Sequence, residues 1–323
     1  MSLTFADDLR LHGPDSTQSV TREQARDYCA RLTASHYENF SVVTWLTPKP
    51  LRPHFQSIYA FCRWSDDLGD EIGDRQRSRE LLAWWRGELQ ALYQDREPPR
   101  HPVMLALQET VREFAIPIEP FLALISAFEQ DQDVLEYRDD AQLLDYCKRS
   151  ADPVGELVLY LARAHNPAHV SWSNAICTGL QLANFWQDVD RDLTIGRVYL
   201  PKADRDRFGY SDDDLHARRF TPQFAALLRH KVEQARDLLN QGEPLAARMP
   251  PPLDVDVALF RKGGLAILKR IEAQGFDVWK RRPEVTKLAK VGLLLQAVAG
   301  SSLSRWRRPS VSPAAGISKA PPS

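Results

Sequence analysis

Two short stretches of this chain carry side chains able to do chemistry together. In Tyr59-Ala-Phe-Cys-Arg-Trp-Ser-Asp-Asp-Leu-Gly-Asp70, the residues Tyr59, Arg63, Asp66, Asp67 and Asp70 recur at spacings of three or four, one stripe if the segment is helical. A second stripe lies 122 positions further on. There Gln181-Leu-Ala-Asn-Phe-Trp-Gln-Asp-Val-Asp-Arg-Asp192 puts Gln181, Asn184, Asp188 and Asp192 on one face. Each stripe holds two aspartates at i, i+4, among apolar neighbours (Phe61 and Leu68; Leu182, Phe185 and Val189). One acidic pair is ordinarily a solvated helix face. Two pairs, each beside amide, phenol or guanidinium groups, point to something cationic between them, because carboxylates in apolar surroundings are costly without a partner.

Four carboxylates with no histidine among them suit a hard cation. Mg²⁺ prefers oxygen ligands, keeps several waters and is usually completed by substrate phosphate oxygens. None of the eight histidines follows a glutamate by three residues, which removes a Glu-x-x-His di-iron centre. Two facing pairs in a helical bundle therefore predict a Mg²⁺–diphosphate clamp, which helps diphosphate leave by neutralising the charge that builds on its oxygens. No G-x-G-x-x-G follows a predicted strand, so no Rossmann dinucleotide site is expected.

The elements that must position these stripes read as helices almost throughout. Thr21 and Gln24 have capping-box spacing, the start of a first helix running toward His36. Helix-period apolar positions follow over 58–70, 80–93, 104–114, 120–130, 143–164, 173–192, 222–241 and 255–274. Prolines fall mostly between these segments, as helix boundaries should. No alternating Val/Ile/Thr run reads as a strand. The expectation is an all-α fold, a single bundle of helices around a central apolar cavity. Residues 1–20 read as a loose polar arm, 21–303 as the helical domain and 304–323 as a Pro/Ser-rich disordered tail.

Length and composition agree with this. The chain has 323 residues, 43% of them hydrophobic, enough for a sizeable core. With 42 Lys+Arg against 43 Asp+Glu there is no general pull toward nucleic acid, and no nucleic-acid partner is expected. Four scattered cysteines without a C-x-x-C predict neither a disulfide framework nor a zinc knuckle. No secretory leader is visible and the apolar run 291–300 is too short to span a membrane, so a cytoplasmic protein is expected. Residues 261–290 nevertheless hold nine Lys/Arg and three Asp/Glu, either a solvated face or a contact with diphosphate or an anionic membrane surface at its inner face.

Three ordered motifs resemble a known family. Tyr-Ala-Phe-Cys-Arg-x-x-Asp-Asp-x-x-Asp, Gln-Leu-x-Asn-x-x-Gln-Asp-x-x-x-Asp and Gly196-Arg-Val-Tyr-Leu-Pro201 are similar to the squalene/phytoene synthase family, over about residues 25 to 300. The resemblance implies the trans-isoprenyl diphosphate synthase bundle, with Asp66, Asp70, Asp188 and Asp192 as Mg²⁺ ligands and catalytic aspartates. It implies that Tyr59, Arg63, Gln181, Asn184, Arg197 and Tyr199 line the diphosphate pocket, with Asp67 and Gln187 inside the same motifs. Arg281, in Val278-Trp-Lys-Arg-Arg-Pro283, falls near the family's C-terminal phosphate-contacting arginine.

Departures from the commonest pattern select a branch. Asn39 replaces a serine near the phosphate site, Tyr146-Cys-Lys-Arg-Ser-Ala-Asp-Pro-Val-Gly155 departs from Tyr-Cys-x-x-Val-Ala-Gly-x-Val-Gly, and Arg261-Lys-Gly-Gly264 adds a third marker. Together they look like the bacterial hydroxysqualene synthase branch of hopanoid biosynthesis. That branch implies ionisation of presqualene diphosphate and capture of the rearranged carbocation by water, without a reductant and beside sister enzymes of the pathway. Phe40, Phe61, Phe128, Phe185 and Trp186 are candidate aromatic faces for the cation, or plain core. Asn39 and the Lys148/Arg149 segment are the places to look for the group that admits water. Two other readings stay open: head-to-head condensation of two prenyl diphosphates, and a non-catalytic helical module binding a lipid or a partner.

Overall fold

The computed structural model describes residues 4–35, 47–95, 98–286 and 292–297. Its helices in chain order are α1 (Phe5–His12), α2 (Arg22–Ser35), α3 (Arg52–Asp70), α4 (Arg75–Gln94), α5 (Pro102–Phe114), α6 (Glu119–Gln130) and α7 (Asp140–Ser150). They continue with α8 (Asp152–Leu161), α9 (Pro167–Thr194), α10 (Lys202–Phe208), α11 (Asp212–His216), α12 (Pro222–Gln241) and α13 (Leu253–Ala273). Among the described residues β structure is limited to one isolated parallel bridge, Glu136 to Val198. The all-α expectation holds. Asn39, Phe40 and the 304–323 tail lie outside the described residues.

The local chemistry of the sequence explains most boundaries. Thr21 and Gln24 form the expected reciprocal cap, backbone N of Thr21 to Gln24 Oε1 at 2.9 Å and backbone N of Gln24 to Thr21 Oγ1 at 3.2 Å. Asp74, Asp139, Asn166 and Thr221 cap α4, α7, α9 and α12 through their side chains.

Two expectations need correcting. The segment 143–164 is two helices, because Pro153 has no N–H to continue the ladder and the backbone turns at Ala151 (φ −119°, ψ −50°). The arm expected to be loose contains α1, closed by a Thr4–Asp7 capping box and docked by Phe5 against Trp64 and by Asp8 against the Tyr28 hydroxyl. The Asp212-Asp-Asp214 run is the first turn of α11, behind the N-cap Ser211.

The core is layered around α3 and α9. On one side of α3, Trp64, Trp85, Phe61 and Phe121 stack within 5.0–5.6 Å of one another and are wholly buried. α9 runs through the bundle against α8, α12 and α13. Its close approach to α12 depends on Gly179, where an added Cβ would lie 2.9 Å from Leu239 Cγ.

Two buried cations tie down the segment that follows α9. Lys231 of α12, fully buried, bonds Asp140 Oδ1 at 2.5 Å, Asp204 and Gln234. Arg205, also buried, pairs with Glu136 and Asp212 and donates to the Leu200 carbonyl. Backbone bonds from Val198 to Leu135 and from Lys202 to Tyr137 then hold segment 197–203 alongside 135–138. This ionic platform presents Arg197 and Tyr199 to the helix ends that carry the aspartates.

Candidate active site

α3 delivers the first stripe as the spacing predicts. Tyr59 is half-buried, and one turn later Arg63 donates from Nε to Asp67 Oδ2 at 3.0 Å and from Nη1 to Asp66 Oδ2 at 3.3 Å. Asp67 is buried and held by this guanidinium, so it orients Arg63 rather than facing outward. Asp70, at the last turn, is exposed and accepts from Arg197 Nη2 at 2.8 Å.

α9 delivers the second. Gln181 is half-buried, Asn184 exposed, and Asp188 and Asp192 follow at the C-terminal end. The helix is broken at Asp188 itself (φ −107°, ψ 15°), which redirects the last turn. The tight turn at Gly196 (φ +79°) then brings Arg197 back, its backbone N bonded to the Asp192 carbonyl at 2.8 Å. The two motifs, distant in sequence, meet around Arg197, whose charge acts on Asp66, Asp70, Asp131 and Asp192 alike. Tyr199 is buried, its ring stacked on Phe185 at 3.7 Å.

Burial and like charge leave these carboxylates short of compensation. Loss of water, and then the neighbouring Asp70, push Asp66 up to about 6; loss of water and Asp188 push Asp192 up to about 7. A cation between the motifs would relieve both, so the donor set fits a hard divalent ion. Among the described residues no three His, Cys, Asp or Glu side chains converge on one point. Each motif can thus supply one or two oxygens, the remainder being water and phosphate, as Mg²⁺ commonly takes them.

Several residues are placed differently from expectation. Arg282, not Arg281, reaches the second motif, with Nε 2.5 Å from Asp188 Oδ1 and Nη2 2.9 Å from Oδ2, whereas Arg281 is exposed. Its segment has no helical phase, so sequence spacing could not choose between the adjacent arginines. Gln187 is buried and gives its amide to the Pro283 carbonyl at 2.5 Å, fastening the Arg282 segment rather than facing substrate. Lys148 is exposed and Arg149 is bound to Asp145 and Gln130, so neither stands in the site interior. Phe61 belongs to the tryptophan core.

The inward group on α7 is instead Tyr146, which donates to Asp131 Oδ2 at 2.9 Å. Asp131, at the end of α6, was invisible to spacing arguments because Gln130-Asp-Gln-Asp133 reads as an ordinary polar turn. Tyr137, Tyr146, Tyr199 and Phe185 gather beside it with ring centroids 3.7–6.4 Å apart.

Comparison with known proteins agrees with this geometry. The squalene/phytoene synthase family profile matches residues 33–289. The chain is 28% identical over 281 residues to presqualene diphosphate synthase of Rhodopseudomonas palustris, covering 87% of this chain and 98% of that one. It is 29% identical over 289 residues to phytoene synthase of Arthrospira platensis, covering 84% and 92%. Among solved structures, squalene synthase HpnC from Alicyclobacillus acidocaldarius superposes with a TM-score of 0.75 at 44% identity, over 79% of this chain and 95% of that one. A dehydrosqualene synthase shares the fold, with a TM-score of 0.78 at 23% identity over 87% and 98%. With both aspartate motifs assembled on the expected helices and the profile spanning most of its length, the chain belongs to the squalene/phytoene synthase family.

Proposed function

We propose that this enzyme converts presqualene diphosphate to hydroxysqualene and diphosphate with Mg²⁺ and no reductant. The observation that carries the chemistry is the convergence of the two motifs: Arg197 bonds Asp70 and its charge acts on Asp66 and Asp192, while Arg282 holds Asp188. The carbon–oxygen bond to diphosphate breaks, the leaving group keeps the electron pair, the cyclopropylcarbinyl cation rearranges, and a water oxygen bonds to carbon with release of a proton. When bound, Mg²⁺ supplies positive charge to the departing diphosphate oxygens, held by Asp66 and Asp70 on one side and Asp188 and Asp192 on the other. Arg63, Arg197 and Arg282 stand beside those carboxylates, so a diphosphate held there meets three guanidiniums as its charge grows. Tyr59, Gln181 and Asn184 lie on the same helix stripes. The Phe185–Tyr199 stack offers an aromatic surface, worth about 0.5–2 kcal/mol to a nearby cation.

The names of the relatives, squalene synthase and presqualene diphosphate synthase, fit the second reading, head-to-head condensation of simple prenyl diphosphates. The branch rests on the sequence markers Asn39, the 146–155 segment and Arg261-Lys-Gly-Gly264. Incubation with presqualene diphosphate and Mg²⁺ in ¹⁸O-labelled water, without NADPH, tests it. Labelled hydroxysqualene is expected. No turnover there, with turnover of farnesyl diphosphate, would replace it by the condensing reading. A non-catalytic module would require Asp66→Ala and Asp188→Ala to leave function intact. Attachment to an anionic membrane through the basic 261–290 stretch belongs to the same proposal; no helix among the described residues is long and apolar enough to cross a membrane. A liposome flotation that leaves the protein at the bottom would remove that attachment.

A further inference from the structure

Capture of a carbocation by water releases a proton, and most carboxylates near the two motifs are in no position to take it. In the site proposed above, Asp66, Asp70, Asp188 and Asp192 hold the metal, and Asp67 is held by the Arg63 guanidinium through both oxygens. Asp131 differs from all of these. It caps the C-terminal end of α6 and stands between the motifs. On the α3 side its neighbour Gln132 donates from Nε2 to the Gly69 carbonyl at 3.1 Å, next to Asp70. On the α9 side its Oδ2 accepts from the Tyr146 hydroxyl at 2.9 Å. The Tyr146 ring lies 6.4 Å from Phe185 and 6.2 Å from Tyr199, which stack on each other three residues before Asp188. Asp131 is 7% exposed, and among the described residues its Oδ1 accepts no hydrogen bond yet is not sealed from solvent. One oxygen therefore fixes the plane of the carboxylate while the other keeps its lone pairs open. Tyr137, Tyr146, Tyr199 and Phe185 put aromatic faces around this one polar group, the surroundings in which a cation is held.

We propose that Asp131, oriented by Tyr146, is the catalytic base of water capture. Its Oδ1 accepts a hydrogen bond from the water, the water oxygen bonds to the cationic carbon, and the proton passes to the carboxylate. The new carbon–oxygen bond uses a lone pair of the water, and the O–H bond that breaks leaves its electron pair on oxygen. The products are a neutral alcohol and a protonated Asp131, which returns its proton to solvent. The assignment rests on the presqualene diphosphate reading and gives the proton of that reaction a destination. The competing acceptor is the departing diphosphate.

The experiment measures hydroxysqualene against diphosphate released when the full-length protein turns over presqualene diphosphate with Mg²⁺, for wild type, Asp131→Asn, Asp131→Glu and Tyr146→Phe. The ratio cancels effects on folding or on ionisation, which change both quantities in step. A cation that is not captured loses a proton from carbon and leaves as a hydrocarbon with one more double bond than the alcohol. An amide can hold a water but takes no proton from it, so the ratio in Asp131→Asn should fall at least about tenfold, with such hydrocarbons making up the difference. Asp131→Glu should recover part of the ratio, and Tyr146→Phe should lose a smaller part, because the carboxylate stays while its orientation loosens. If Asp131→Asn does not fold, the last two variants carry the test, each expected below wild type. A ratio equal to wild type in Asp131→Asn, or in both of the others where it fails to fold, would overturn the assignment, give the proton to diphosphate and leave the proposed function standing. A wild type that forms no hydroxysqualene from presqualene diphosphate would overturn both.

Discussion

Lys231→Met is the sharpest test of how the site is held in place. The ammonium is fully buried and contacts Asp140, Asp204 and Gln234, so its removal leaves two carboxylates facing each other without a cation. Burial works against ionisation of Asp140, yet the Lys231 hydrogen bond and charge win and hold it below the ordinary carboxylate range. Breaking a buried ion pair from one side costs about 3–5 kcal/mol. For a domain of this size 1 kcal/mol is about 2 °C in Tm, so Lys231→Met should melt about 6–10 °C lower at pH 7. The loss should shrink as pH falls through the depressed folded value of Asp140, because a protonated acid no longer needs the ammonium. The triple variant Lys231→Met, Asp140→Asn, Asp204→Asn should regain most of the lost stability, since no buried charge is then unpaired. Differential scanning calorimetry of the three proteins decides it. A Lys231→Met protein melting within 1 °C of wild type, or a triple variant no better than the single, would refute the platform as an energetic unit.

Other outcomes follow from the same structure. Arg282→Gln should weaken substrate binding by about tenfold or more through its two bonds to Asp188, whereas Arg281→Gln should change it little; equal KM effects would return the assignment to sequence spacing. Asp256 is 4% exposed with neither carboxyl oxygen hydrogen-bonded, and burial, then Asp254, push it up to about 7. Because an unfolded aspartate ionises near 4, wild type loses stability between about pH 4 and 7, and Asp256→Asn should gain up to about 3 kcal/mol on it from pH 5 to pH 8. A stability difference independent of pH in urea unfolding would contradict this. Gly179→Ala should cost about 1–3 kcal/mol by driving a methyl into Leu239, and an unchanged denaturation midpoint would show that α12 can yield there.

The stripes on α3 and α9 were legible in the sequence because a helix converts spacing into direction. Asp66, Asp70, Asp188 and Asp192 therefore fall where a repeat of three and four puts them, and only their convergence needed the fold. What escaped has no such period. Arg282 sits in an irregular segment without a repeat to fix its direction, and Asp131 follows the last turn of α6. Lys231 and Arg205 read as surface residues on their own helices. Lys231 is buried through a partner 91 positions away in sequence, and periodicity cannot report such a distance. The break at Pro153 was readable in principle, since the proline marks it, but the apolar pattern runs through it and favours one long helix.

The irregular residue at Asp188 has a mechanical consequence. A straight 28-residue rod would carry any sideways movement of its far end, where α9 leans on α8, directly into its last turn. A joint placed six residues before the end interrupts that lever. The terminal piece is fastened on its own account, by Arg282 at Asp188 and by the Arg197 turn at Asp192. The spacing of Asp188 and Asp192 is therefore set by the local fastening of the end of α9 rather than by the course of the whole helix.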